Sequence, residues 1–303
     1  MRSTQRSTQR SRDMRSDGQV ARQRLVDSLP ITERQVSAAE MDTEVWEGGD
    51  GPPILFLQGE FAVVWMRVIP ELVATNRVIV PDLPGLGEPA PPAGPFGLDS
   101  LLEWLDDLVT LTCASPPVVV GKGAGGALAA RFAVDHSDRL AGLVLVDSHG
   151  LGRYRPPPAM ALSFLRVLVR PTERSLERSF RAYCFTDLDT VRSDAGPQWE
   201  WLTSYALDRF RTPQVRAAMR RLMPRLSKAI PPEDLDRITA PTTLIWGRHD
   251  VGVPLEVAEA AAARHGWELH IIDDARDDPA LEQPAAFLSA LRAAAGLRPR
   301  RNL

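Results

Sequence analysis

The chain has 303 residues, 44% hydrophobic and 25% charged, with 36 basic against 39 acidic side chains and a formal net charge of −3. This is the profile of an ordinary globular protein and argues against a nucleic-acid binder, while no apolar run reaches the roughly 18 residues of a membrane span. Two cysteines, Cys113 and Cys184, support neither a disulfide framework nor a cysteine-based metal site, so a cytoplasmic setting without metal, cofactor or membrane partner is expected.

The first two dozen residues carry seven arginines and the local repeat Arg-Ser-Thr-Gln at 2–5 and 6–9, and read as a disordered tail. From about residue 34, short β-rich runs alternate with helical ones, which predicts a largely parallel sheet covered on both faces. Pro53–Leu57 and Arg77–Val80 are expected strands, joined by a helix from Trp65 to Ala74. Leu98–Leu111 has helical spacing of Leu and Trp. Pro117–Val120 is the next strand, followed by a glycine-rich turn at 121–126 and a helix over Ala127–Val134. Then come the strand Leu143–Val146, a long helical segment, the strand Thr243–Trp246, a helix near 255–264, the strand Glu268–Ile272 and a closing helix through Phe287 and Leu291. The long segment offers an apolar face with Trp199, Trp201, Tyr205 and Phe210. Projecting at the carboxyl ends of the strands, it would cover a pocket, and Trp199, Trp201 and Tyr205 are candidates to line it.

Several motifs in this order resemble the α/β-hydrolase fold superfamily: Pro53–Gly59 followed by Trp65, Arg77-Val-Ile-Val-Pro-Asp-Leu-Pro-Gly-Leu-Gly87, Val120-Gly-Lys-Gly-Ala-Gly-Gly126, Ile245-Trp-Gly-Arg-His-Asp250 and Glu282-Gln-Pro-Ala-Ala-Phe287. The resemblance covers about residues 36–295. It implies an α/β fold with a mostly parallel central sheet and a helical cap insertion. The expected division is a basic tail over 1–33, a hydrolase core over 34–149 and 238–297, a cap over 150–237 and a C-terminal tail over 298–303.

In that family a Gly-x-Ser-x-Gly turn presents the nucleophile, and an acid and then a histidine follow. A serine needs a base to take its proton, and the imidazole needs an acid to orient it. Here the turn reads Gly121-Lys122-Gly123-Ala124-Gly125, so Gly123 holds the nucleophile position. Asp277 stands where the histidine is expected, in Arg276-Asp277-Asp278-Pro279, and only the acid, Asp250, is kept. The usual His-Gly after the first core strand is Gln58-Gly59, followed by Glu60. The resemblance thus implies a degenerate catalytic triad.

Each altered position has two readings. Gly123 is either a decayed turn relieved of strain or volume opened for a bulky ligand. Asp277 is either a solvated loop acid or a general base facing Asp250. Glu60 is either an exposed loop residue or an acid–base group whose N–H joins that of Ala124 in a pocket for a carbonyl oxygen. His149, in Asp147-Ser148-His149-Gly150, is either a loop residue or a base entering from a non-standard side. Lys122 is one of two lysines beside 34 arginines; a Schiff-base role requires its side chain to turn towards the pocket.

Four functional expectations follow. The first is a cofactor-independent, non-hydrolytic enzyme of natural-product or antibiotic biosynthesis, forming carbon–carbon bonds by conjugate addition or coupling, or performing a lyase or cyclase step. Its substrate would be an apolar, aromatic, polyketide-like small molecule. The candidate site is catalytic Asp250, Asp277, Glu60 and His149, with Gln58, Gly59, Gly123, Ala124, Trp199, Trp201 and Tyr205 binding substrate. The others are a cofactor-free oxygenase, a ligand-binding pseudoenzyme, and a hydrolase using a relocated Ser148 and His149.

Overall fold

The computed structural model describes residues 16–59, 62–87 and 96–296. Eight strands form one sheet: β1 (Thr32–Ala38), β2 (Met41–Gly48), β3 (Pro53–Gln58), β4 (Arg77–Pro81), β5 (Val118–Lys122), β6 (Gly142–Val146), β7 (Thr242–Gly247) and β8 (Glu268–Ile272), in the spatial order β1-β2-β4-β3-β5-β6-β7-β8. β2 runs antiparallel to β1 and β4, and the other pairings are parallel. β3, β5, β6 and β7 are buried along their whole length, which is why they read as unbroken apolar runs and not as alternating ones.

Helices cover both faces. They are α1 (Asp17–Asp27), α2 (Leu98–Thr112), α3 (Gly123–His136), then α4 (Pro158–Val169), α5 (Glu173–Ser179), α6 (Leu188–Ala195), α7 (Pro197–Arg211) and α8 (Pro213–Leu226) between β6 and β7, and finally α9 (Leu255–His265) and α10 (Pro284–Ala294). One apolar cluster on one face includes Phe56, Trp65 and Phe287; the other holds Trp104, Phe132 and Trp246. Both cysteines are free, and among the described residues no helix is long and apolar enough to cross a membrane.

Three expectations need correction. The tail assigned to 1–33 folds from residue 16. Ser16 caps α1 in a capping box with Gln19, and α1 buries Ala21, Leu25 and Val26. Its Arg22 guanidinium pairs with Glu33, with Glu44 at 2.9 Å and with Asp82 at 3.2 Å. Polar composition concealed this helix because a network of charges, as much as apolar surface, seats it. Residues 1–15 and the tail from 298 lie outside the described residues. The helix expected over Trp65–Ala74 is a 3₁₀ turn at Ala62–Trp65 and a single helical turn at Ile69–Leu72, since Pro70 has no N–H to continue a helix from the preceding turn. The helix expected from Ala127 starts four residues earlier, at Gly123.

Candidate active site

β5 ends at Lys122 and α3 begins at once, with the intervening backbone turned through Gly123 at φ +54°. Two glycines permit this sharp junction. A side chain on Gly125 would strike the backbone of Leu57 and Gln58 at 2.5 Å, so α3 sits against β3 only without one. Gly123 differs: a Cβ there would meet nothing nearer than His149 Cδ2, at 4.0 Å. The strained conformation that suits glycine therefore opens into free space at the carboxyl edge of the sheet. Ala124 follows in the first turn of α3, where backbone N–H groups have no partner within the helix.

The space is a chamber of about 50 Å³ lined by Gln58, Gly59, Val64, Lys122, Gly123, Ala124, His149, Met223 and Asp277. Its volume suits a carbonyl group or one water, whose share of liquid is about 30 Å³. Six expected site residues meet there, Gln58, Gly59, Gly123, Ala124, His149 and Asp277, together with Lys122. Gln58 is a brace more than a ligand contact, because its amide donates to Pro81 O at 2.9 Å and accepts from Trp65 Nε1 at 3.0 Å. Glu60 lies outside the described residues.

His149 stands over Gly123. Its backbone N–H donates to Gly123 O at 3.1 Å, its Nδ1 meets the Tyr154 hydroxyl, and the two rings stack at 5.9 Å. Burial pushes the imidazole down to about 4, with Asp277 opposing, so the ring is neutral at physiological pH. Burial likewise raises the Tyr154 phenol, which stays protonated. His149 and Tyr154 also line an open cleft of about 740 Å³ with Arg153, Arg155, Met160 and Ser227. His149 therefore separates the chamber from a space large enough for a substrate body.

Behind the chamber is a group of acids. Asp277 Oδ2 lies 3.4 Å and Asp278 Oδ1 3.2 Å from Lys122 Nζ. The Lys122 side chain is buried and turns towards the pocket, where both carboxyls hold it in ion pairs. Asp250 accepts from Gly252 N at 2.7 Å and Val253 N at 3.2 Å; burial and the charge of Asp277 raise its carboxyl well above the usual carboxylate range. Asp147 at the end of β6 has φ +42° and is fully buried. Its Oδ1 accepts from Gly247 N at 2.9 Å, while Oδ2 has no hydrogen-bond partner among the described residues. Burial, then Asp250 and Asp277, push it strongly upward.

Two expectations fail on geometry. Trp199 and Tyr205 are buried and Trp201 partly so, but they pack in the apolar cluster with Leu25 of α1, Phe180 and Phe185, and none of the three lines the chamber. Their helical spacing was a core signal. Ser148 is fully buried and donates to His149 O at 2.8 Å; it does not line the chamber, so a relocated Ser148–His149 pair is not assembled. Asp147 and Tyr154 belong to the site and were not proposed. The aspartate ends a buried strand beside Ser148-His149, which was a legible signal; Tyr154 carried none.

A model of the alpha/beta hydrolase family matches residues 54–290. The chain belongs to that family. A 2-hydroxy-6-oxo-6-(2′-aminophenyl)hexa-2,4-dienoic acid hydrolase of Metapseudomonas resinovorans is 27% identical over 236 residues, 75% of this chain and 77% of that protein. A magnesium-chelatase 30 kDa subunit of Rhodobacter capsulatus is 32% identical over 231 residues, 70% of this chain and 76% of that one. The solved 2-hydroxy-6-oxo-6-phenylhexa-2,4-dienoate hydrolase of Rhodococcus sp. strain RHA1 superposes with a TM-score of 0.76 at 22% identity, covering 88% of this chain and 99% of its own. The family's fold therefore holds here with Gly123 at the strand-to-helix turn.

Proposed function

We propose that this family member is a cofactor-independent, non-hydrolytic enzyme with a degenerate triad, which moves a proton on carbon beside a carbonyl group. The proton transfer serves carbon–carbon bond formation by conjugate addition, or a related lyase or cyclase step, on an apolar aromatic substrate of biosynthetic origin. One observation carries this reading: the chamber over Gly123 is lined by Asp277, Lys122 and His149 but by no hydroxyl or thiol side chain among the described residues. Acyl transfer lacks a nucleophile there, whereas enolisation needs only a base and a stabilised oxygen.

In this mechanism the substrate carbonyl enters the chamber and its body lies in the cleft beside Tyr154 and Met160. The oxygen takes the N–H of Ala124. The imidazole adds a second donor: with the Tyr154 hydroxyl taken as donating to Nδ1, the proton is on Nε2, the nitrogen next to the Cδ2 that faces Gly123. A neutral imidazole acting as electrophile is an established solution when its pKa is depressed. The Asp277 carboxylate removes the proton from the adjacent carbon, and the C–H electron pair moves to the oxygen as an enolate. The enolate carbon then bonds to the β-carbon of a conjugated carbonyl acceptor, whose π pair forms a new enolate that takes the proton from Asp277, or the first enolate carbon takes that proton back. Support for an enolisable aromatic carbonyl comes from the Metapseudomonas relative, whose name gives an aryl oxo-dienoic acid as its substrate.

Phenylacetone in D2O tests the reading by NMR. The expected result is protein-catalysed exchange of its benzylic hydrogens, lost in Asp277→Asn and reduced in His149→Phe, with no hydrolysis of 4-nitrophenyl acetate. Absence of catalysed exchange, or ester hydrolysis that Asp277→Asn abolishes, overturns it in favour of a binding protein or a hydrolase respectively.

A further inference from the structure

The α4 helix presents an apolar stripe to solvent. Leu162, Leu165 and Val169 are 47%, 53% and 72% exposed, and they are three of only five large hydrophobic side chains exposed to this degree among the described residues. Their spacing of three and four puts them on one helical face, and they line an open groove of about 620 Å³. Four exposed arginines, Arg166, Arg170, Arg174 and Arg178, rim the same groove, and none makes an ion pair among the described residues. The acids on α4 and α5 do not neutralise them: Glu177 pairs with Arg181 and Arg192, leaving only Glu173.

We propose that this face of α4 and α5 seats on an anionic lipid surface. The leucines and valine would enter the acyl boundary while the guanidiniums meet headgroup phosphates, the two-signal arrangement that makes interfacial binding stable. A second copy of the chain fits less well. A two-fold contact places each patch against itself, so four unpaired arginines would oppose four more. No membrane span is involved, and the proposal revises the expectation of no membrane partner drawn from composition. It stands apart from the chemistry proposed above, but the geometry links them. Met160, in the first turn of α4, lines the cleft that ends at His149, so a seated helix would open that cleft towards an apolar substrate reservoir.

Vesicle co-sedimentation of the full chain tests this. Vesicles of phosphatidylglycerol and phosphatidylcholine in equal parts should pull the protein down, and phosphatidylcholine alone should not. Each guanidinium near an anionic surface is worth about fivefold in partitioning, so Arg166→Gln/Arg170→Gln/Arg174→Gln/Arg178→Gln should bind a few hundredfold more weakly. Leu162→Ser/Leu165→Ser/Val169→Ser should also lose binding at fixed charge. All seven side chains are exposed, and circular dichroism is the control that each variant is folded. Undiminished binding by the arginine variant, or no binding by the parent chain, overturns the proposal. So does a dimer in analytical ultracentrifugation that the apolar variant dissolves while vesicle binding persists, because the stripe would then belong to a second copy.

Discussion

Serine at position 123 restores the missing hydroxyl without restoring a hydrolase. The site tolerates the atoms, since the nearest neighbour of the added Cβ is His149 Cδ2 at 4.0 Å. The backbone tolerates them less well: φ +54° costs an L-residue about 1–2 kcal/mol, offset by about 0.4–1 kcal/mol from a stiffer unfolded chain. Gly123→Ser should therefore lower stability by about 1 kcal/mol, a drop in Tm of about 1.5–2 °C. The only imidazole within reach is held at about 4, so its proton affinity is about 3 kcal/mol below that of a free histidine. Its Nδ1 faces a phenol, not the carboxylate that would steady an imidazolium. The variant should hydrolyse 4-nitrophenyl acetate no faster than the parent chain. Gly123→Ser/Asp277→His, which returns a base to the family position beside Asp250, should exceed the single variant about a hundredfold, the ordinary yield of a positioned base. Hydrolysis by Gly123→Ser alone at a hundred times the parent rate, or no gain in the double variant, would refute this account of the chamber.

Asp147→Asn keeps the acceptor for Gly247 N and replaces an unpartnered buried oxygen with a donor facing Asp250 and Asp277. Because burial raises the native carboxyl, the aspartate contributes favourably only at low pH and loses that contribution as pH rises; the variant should thus be more stable by about 1–3 kcal/mol at neutral pH, an advantage that urea titration should find shrinking in acid. His149 has the opposite sense. Its native value is depressed, so stability present above about pH 6.5 is lost as pH falls towards 4, by up to about 3 kcal/mol, and His149→Phe should flatten the urea midpoint across that window. Arg22→Leu removes the buried guanidinium that Glu33, Glu44 and Asp82 share, and should cost about 3–5 kcal/mol by chemical denaturation.

The core strands were legible because burial on both faces forces continuous apolar runs, and the strand-to-helix turn because only glycine permits its close approach. Gly123, Asp250 and Asp277 were found for the same reason: each stands in a motif whose backbone path is dictated locally. The misreadings share a different cause. Trp199 and Tyr205 look alike whether a helix faces a pocket or a core, and only the partner element, α1, decides between them. α1 itself was missed because its anchor, Arg22, is satisfied by acids on β1, β2 and the segment after β4, which no local window contains. The inward turn of Lys122 likewise depends on Asp277 and Asp278, more than 150 positions away in sequence.

α1 also bears on how anything reaches the chamber. Arg22 pairs with the sheet through Glu33, Glu44 and Asp82 and lies 5.9 Å from the Tyr205 ring of α7, so it fastens the helices between β6 and β7 to the body of the molecule. Lifting those helices as a rigid hatch would either part α7 from the apolar face of α1 or, with α1 carried along, strip a buried guanidinium of its carboxylates. Among the described residues the cleft meets the chamber at His149, whose imidazole lines both and stacks on Tyr154. On the proposed chemistry, admission from that cleft would depend on the rotation of two stacked rings, and discrimination between substrates would be exercised at the doorway, before a carbonyl meets Asp277.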